Sequence, residues 1–289
     1  MRTKVFYFSG TGNTLSLARR ISQKLEADLV SIPYFVKSDN NHINAEKAVI
    51  VFPSYMAFLS GLPPVVERFI RMIDNINDVT FFAVCNCGGY EIANALPSLQ
   101  KLRQIFKSCG GKLYAEYSLR MPMNNLDYDH IPIPINRNHE EIIRKSKLEI
   151  DRICSYIINN KKTRHKVAKD LFLIIMKPVF IIMRPAIIKD LKVRAHEPAD
   201  SGLPYYELIP LTDKSIVVDE KCIGCGICAK VCPVENILIV DKKPEFQHRC
   251  EMCFACDEWC PKESIHHWSR KPGVKYHHPE MILKDMVRE

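Results

Sequence analysis

Eight of the chain's twelve cysteines fall between Cys222 and Cys260, and their spacing limits the fold more than any other feature. They form two runs: Cys222-Ile-Gly-Cys225-Gly-Ile-Cys228-Ala-Lys-Val-Cys232-Pro233 and Cys250-Glu-Met-Cys253-Phe-Ala-Cys256-Asp-Glu-Trp-Cys260-Pro261. Both read C-x2-C-x2-C-x3-C-P, and the second repeats the first at a constant offset of 28 residues. The match continues past the cysteines, from Pro233, Glu235 and Ile237 to Pro261, Glu263 and Ile265. An internal repeat of this kind implies a small domain with pseudo-twofold symmetry.

The chemistry follows from the spacing. Three cysteines two residues apart wrap a tight loop around one face of an iron–sulfur cubane, while the fourth points away and ligates the other cluster. One [4Fe-4S] cluster is therefore expected on Cys222, Cys225, Cys228 and Cys260. The other is expected on Cys250, Cys253, Cys256 and Cys232. Gly224 and Gly226 would let backbone amides approach the first cluster, and Ile237 and Ile265 would shield the pair from water. Structural zinc uses paired C-x2-C units separated by a longer gap, which two tandem four-cysteine runs ending in proline do not match.

Residues 1–160 alternate between strand and helix patterns. Strands are expected at Lys4–Phe8, Asp28–Ile32, Lys47–Phe52, Thr80–Cys85 and Lys112–Ser118. Helices are expected at Asn13–Leu25, from Pro63 and Pro64 to Arg71, around Leu96–Phe106, and at Glu140–Ile158. The apolar run Lys47–Phe52 suits a central strand covered on both faces. Five strands alternating with helices imply a doubly wound α/β parallel sheet, which takes its ligand at the carboxyl ends of its strands.

One such end is chemically distinctive. Ser9-Gly10-Thr11-Gly12-Asn13-Thr14 joins the first strand to the first helix. It is neither a dinucleotide fingerprint nor a Walker loop. Its hydroxyls, Asn13 and the free amides of a helix start would satisfy a phosphate monoester without a cationic side chain. The segment resembles the FMN phosphate loop of flavodoxins, and residues 1–160 resemble that family in the order and length of their elements. The resemblance implies two flavin-ring loops. Pro53, Ser54 and Tyr55 begin the one after the third strand; Asn86, Cys87, Gly88, Gly89 and Tyr90 form the one after the fourth. It implies Tyr55 and Tyr90 as stacking candidates and the backbone from Asn86 to Gly89 as the pyrimidine contact. The cysteine-rich part resembles two-cluster bacterial ferredoxins, so the chain as a whole is similar to a prokaryotic family that fuses the two. The expected organisation is a flavodoxin-like domain over 1–160, a helical linker over 161–214, a small α+β ferredoxin-like domain over 215–270 and a tail over 271–289.

Composition excludes several alternatives. The chain has 289 residues, 47% of them hydrophobic, enough for real cores. Its formal charge is +8 with every cysteine neutral. Two oxidised clusters carry about −2 each, which lowers this to about +4. No basic stripe with interleaved aromatics is visible, so nucleic acid is not an expected partner. The acidic bias of free flavodoxins and ferredoxins is missing as well. Nothing reads as a signal peptide, and a reducing cytoplasm is the expected compartment for thiols so closely spaced. The longest apolar stretch, Leu171–Ile188, is broken by Lys177, Pro178, Arg184 and Pro185 and follows a basic patch, Lys161 to Lys166. It is read as a linker helix pair in preference to an interfacial membrane helix, and not as a spanning one. Cys85 and Cys87 flank the second ring loop and are expected to be ordinary buried cysteines.

These features together predict an iron–sulfur flavoprotein that moves electrons between two [4Fe-4S] clusters and FMN, with a redox protein or a small acceptor as partner. An FMN-dependent reductase fed by its own ferredoxin domain is the alternative within enzymology. A redox sensor without turnover is the alternative outside it.

Overall fold

A computed structural model describes all residues except 1, 39, 56–58, 90, 125–137, 163–166, 271–272 and 288–289; side chains at 92–93, 167–174, 176–177 and 180 are likewise outside the description. By contacts the chain divides into two compact units. The first comprises Met1–Ser9, Thr14–Met123 and Ile135–Phe180, and the second Gly10–Asn13, Asn124–Pro134 and Ile181–Glu289.

The first unit is built on five parallel strands: β1 (Thr3–Tyr7), β2 (Asp28–Ser31), β3 (Lys47–Pro53), β4 (Thr80–Cys87) and β5 (Leu113–Arg120). Their order is β2-β1-β3-β4-β5, which is the flavodoxin-like arrangement of a doubly wound sheet. β3 is buried at every position because it lies between β1 and β4 with helices on both faces. Side chains alternate across the sheet as strand geometry requires. Val5, Val49, Val51 and Val84 face a core shared with Leu17, Ala18 and Ile21 of α1 (Asn13–Leu25) and with Ile150, Ile153 and Ile157 of α5 (His139–Ile158). On the opposite face Phe6 meets Phe69 of α3 (Pro64–Met72) at 4.9 Å, and Phe81 meets Phe106 of α4 (Glu91–Ser108) at 4.9 Å.

Two elements differ from the sequence reading. A short helix, α2 (Ile32–Lys37), follows β2 directly. Its signal was Pro33 at the first helical turn, with Ile32 and Phe35 on the buried side. The apolar stretch expected to break into a helix pair is one helix, α6 (Val167–Arg194), which runs through Pro178 and Pro185. Each proline removes a single backbone donor, a loss a long helix tolerates at the cost of one hydrogen bond.

The second unit contains α7 (Tyr205–Leu211) and the cysteine repeat. Here β6 (Val217–Val218) pairs antiparallel with β9 (Ile265–His266), and β7 (Ile237–Val240) with β8 (Lys243–Phe246). The pair Val218↔Ile265 and the pair Phe246↔Ile237 are related by the same 28-residue offset as the cysteines. The helices α8 (Ile227–Val231) and α9 (Ala255–Glu258) correspond in the same way. Ile237 and Ile265 share one small core with Cys228 and Cys232, as expected of shielding residues. The tail closes with α10 (Leu283–Met286).

Candidate functional site

The repeat surrounds two cavities. Cys222, Cys225, Cys228 and Cys260 line one of about 330 Å³, counting its open mouth. Cys232, Cys250, Cys253 and Cys256 line another of about 350 Å³. Three cysteines of one motif thus meet the fourth of the other, twice. Among the described residues no three His, Cys, Asp or Glu side chains converge as a single-ion site requires; the thiols surround a volume.

Backbone geometry explains how each motif curls. Gly224 and Gly226 have φ of 68° and 75°, and the equivalent Met252 and Phe254 take 52° and 63°. The second loop therefore adopts left-handed conformations that glycine would favour, without glycine. What singles out Gly224 is its neighbour: a Cβ there would lie 2.6 Å from the Lys242 carbonyl oxygen. Symmetry extends to the sulfurs. Asn236 N donates to Cys232 Sγ at 3.2 Å and Ser264 N to Cys260 Sγ at 3.4 Å, each four residues past its fourth cysteine. Met252 N donates to Cys250 Sγ at 3.3 Å. Asp213, fully buried, fixes the loop by accepting from Asn236 Nδ2 (2.8 Å) and His248 N (3.0 Å).

Electrostatics test whether these residues suit an iron–sulfur group. Burial pushes the thiols of Cys228 and Cys253 up to about 11 and about 12, with neighbouring cysteines raising both further. Cys250 and Cys256 rise well above the ordinary range for the same reasons. Burial also raises Cys260, but hydrogen bonds from Ser264 and the Lys262 amide, with the charge of Lys275, together outweigh it and hold that thiol below its usual value. Thiolates crowded in an apolar pocket need a cationic partner among them. An iron core supplies that charge, and the donor set fits it.

His267 also lines the second cavity. Burial drives its imidazole down to about 3, so it is neutral. It is reached through a segment locked by Arg270, which pairs with Glu258 and packs over Phe254 at 5.6 Å.

The hydroxyl loop is divided between the units. In the first unit Thr14 Oγ1 donates to Asn86 Oδ1 at 2.8 Å, and Ser54 N donates to the Asn86 carbonyl at 2.8 Å. These bonds tie the start of α1 and the residue after β3 to the end of β4. Ser9 is buried, and its Oγ has no hydrogen-bond partner. Such an orphan hydroxyl carries an uncompensated desolvation cost unless a ligand meets it.

Residues Gly10–Asn13 belong to the second unit, where the tail covers them. Tyr276 Oη donates to Asn13 Oδ1 at 2.6 Å, and His278 N donates to the Thr11 carbonyl at 2.9 Å. Asn124 Nδ2 lies 3.4 Å from Thr11 Oγ1. A Cβ at Gly10 would sit 2.3 Å from the Cys253 carbonyl oxygen, and one at Gly12 would meet Met281 at 2.7 Å. The tail carried no motif, so sequence reasoning missed this cover entirely.

The ring loops are only partly described. Tyr90 and residues 56–58 lie outside the described residues. Tyr55 is half-buried, with its ring edge-on to Phe8 at 6.2 Å. Pro53 ends β3, buried, and the Ser54 hydroxyl turns to the Asn94 carbonyl (2.5 Å) and Ser98 Oγ (2.8 Å). The carbonyls of Asn86 and Cys87 accept from Ser54 N (2.8 Å) and Met121 N (2.9 Å). Gly88 is pressed against Met123, 2.6 Å from where its Cβ would be.

Cys85 and Cys87 are buried, and desolvation raises both thiols far above the ordinary range. In native protein at mildly alkaline pH we expect iodoacetamide to spare both and to label Cys109, which is partly exposed. Peptide mass mapping before and after unfolding checks this. Rapid native labelling of Cys87 would contradict the burial.

Comparisons with known proteins agree with this picture in part. Residues 215–238 match the model of a 4Fe-4S binding domain. No curated protein is significantly similar to the chain. Among solved structures, the chain is similar to a Fusobacterium nucleatum flavodoxin bound to flavin mononucleotide, with 17% identity over 55% of this chain and 98% of that one and a TM-score of 0.37. It is also similar to a WrbA-like flavodoxin from Agrobacterium tumefaciens, with 20% identity over 55% and 99% and a TM-score of 0.32. A third is an FMN-dependent NADH-azoreductase from Bacillus anthracis, with 9% identity over 54% and 99% and a TM-score of 0.37. The fold assignment rests on the strand order.

Proposed function

We propose that the chain is an iron–sulfur flavoprotein that relays electrons between two [4Fe-4S] clusters and FMN. Cys222, Cys225, Cys228 and Cys260 would hold one cluster, and Cys250, Cys253, Cys256 and Cys232 the other. The observation that carries this reading is the exchange of the fourth cysteine between the two cavities. When bound, the clusters pass single electrons and the flavin takes one or two.

The chain's own groups prepare for this. Amides of Asn236, Met252 and Ser264 donate to cysteine sulfur and favour the thiolate form. Ser9, with the turn from Gly10 to Thr14, would hold the FMN phosphate, and the orphan Ser9 hydroxyl supports that part of the proposal. Tyr276 and His278 keep the turn buried, away from water. Tyr55, Gly88 and Gly89 are the described candidates for the ring, with Tyr90 beside them in sequence.

Anaerobic purification with iron, acid-labile sulfide and flavin counted per chain tests the reading. About eight, eight and one are expected. Zinc without sulfide would overturn the cluster assignment, and eight irons without flavin would overturn the FMN part alone. Ser9→Ala sharpens the second point. It is expected to weaken FMN binding by about tenfold, the worth of one hydrogen bond to a charged group. The flavin-free variant is expected to match or exceed the parent in stability, because an unmatched buried hydroxyl is gone. Flavin titration and thermal melts read the two effects separately.

A further inference from the structure

The surplus charge of the chain has one address. Residues 161–194 hold ten Lys and Arg against two Asp, a surplus of eight, and the remaining residues balance at 31 of each sign. The same segment contains α6, whose described side chains include Ile175 (63% exposed), Val179 (41%), Ile182 (77%) and Val193 (61%). At about 100° per residue these four fall within a stripe roughly 60° wide along one side of the helix. Ile181 and Met183 are exposed beside the stripe, Arg184 is exposed on the opposite side, and Leu191, also away from the stripe, is fully buried. Near its end the helix is therefore seated on the side of Leu191, and it carries an apolar stripe away from that side, in the segment whose sequence holds the chain's positive surplus.

We propose that this face of α6 docks on an anionic lipid surface. Apolar side chains enter the headgroup boundary while Lys and Arg meet the lipid charge, the usual division of work in an interfacial helix. A second copy of the chain is a poor occupant, because it would set one surplus of eight against another. Spanning is a poor alternative too: among the described residues no helix is long and apolar enough to cross a membrane.

The test uses the full chain and two vesicle compositions, phosphatidylcholine alone and phosphatidylcholine with about one-third phosphatidylglycerol. Sedimentation is expected to bring the protein down with the anionic vesicles. Binding is expected to fall at least about tenfold on the neutral ones, and likewise at about 1 M salt, where charges are screened within ~3 Å. Ile182→Glu, at an exposed position, is expected to abolish binding while leaving the visible absorption intact. Absence of binding to anionic vesicles, equal binding to neutral ones, or a dimer that Ile182→Glu dissolves would each overturn the proposal.

A separate observation concerns His267, and it rests on the cluster reading above. Its Nδ1 accepts from Ser269 N (3.3 Å) and faces Ser269 Oγ (2.9 Å), so the ring proton sits on Nε2. Nε2 is buried without a protein partner, in a residue that lines the second cavity. The residue 28 positions earlier, Ile239, lines the first cavity and has no donor. The geometry points to His267 Nε2–H as a hydrogen-bond donor to sulfur of the second cluster, making the two clusters unequal in potential. Donors to cluster sulfur stabilise the more negative, reduced form.

Redox titration followed by EPR tests this. His267→Leu is expected to shift the second cluster's one-electron equilibrium about tenfold towards oxidation, a fall of about 59 mV. His267→Gln, which keeps an N–H donor, is expected to recover most of the shift. Ile239→His is expected to raise the first cluster's potential. Unmoved potentials in variants with full iron and sulfide would overturn the His267 assignment alone, whereas material lacking sulfide would overturn the cluster reading with it.

Discussion

Cys232→Ala is expected to strip iron from the second motif's cavity while leaving its own motif's cluster in place. Cys260→Ala is expected to do the reverse. Both follow from the crossed lining, in which Cys232 stands with Cys250, Cys253 and Cys256, and Cys260 with Cys222, Cys225 and Cys228. A cubane missing one thiolate in a largely apolar cavity loses both a ligand and charge balance. Each variant is expected to keep about four of eight irons. Pairing each with Cys225→Ala separates the possibilities. Cys260→Ala with Cys225→Ala is expected to cost one cluster in total, and Cys232→Ala with Cys225→Ala both. Iron and sulfide assays with EPR give the count; the opposite pattern would assign each fourth cysteine to its own motif.

Arg270→Met is the substitution expected to cost most stability. The Arg270 side chain is 3% exposed and the Glu258 side chain with which it pairs is fully buried. Glu258 also accepts from Tyr276 N at 2.6 Å. Burial lifts the Glu258 carboxyl to about 7, with Arg270 acting against that rise. Removing the arginine strands a buried acid, a change that costs about 3–5 kcal/mol. The double variant Arg270→Met with Glu258→Gln is expected to recover much of the loss, since neither group then remains charged. Denaturant melts of both variants check this, and an Arg270→Met protein as stable as its parent would show the pair to be dispensable.

How far the sequence revealed this molecule depends on what each feature needed. The crossed grouping of cysteines around the two cavities was readable because the spacing leaves the fourth thiol of each run pointing away from its own three. The sheet was readable because continuous apolar runs such as Lys47–Phe52 have few other uses. Helix α2 was overlooked because six residues carry too little periodicity, although Pro33 marked its start. The left-handed turns at Met252 and Phe254 could not be seen, since neither residue type announces that conformation. The unbroken α6 corrects an overweighting of Pro178 and Pro185. Ser54 and Asn86, expected in the cofactor loops, also have side chains that bond to neighbouring elements, which their place in the sequence does not reveal. Sequence adjacency to a binding loop does not say which way a side chain turns.

The bonds from Tyr276 to Asn13 and from His278 to Thr11 join residues 263 and 267 positions apart along the chain. A ribosome making this chain exposes the hydroxyl-lined turn long before the segment that covers it exists. The cover of this turn therefore forms only after Tyr276 and His278 have been made. An exchange that replaced the segment carrying Tyr276 and His278 would put both bonds at risk, so that segment and the turn are constrained to change together.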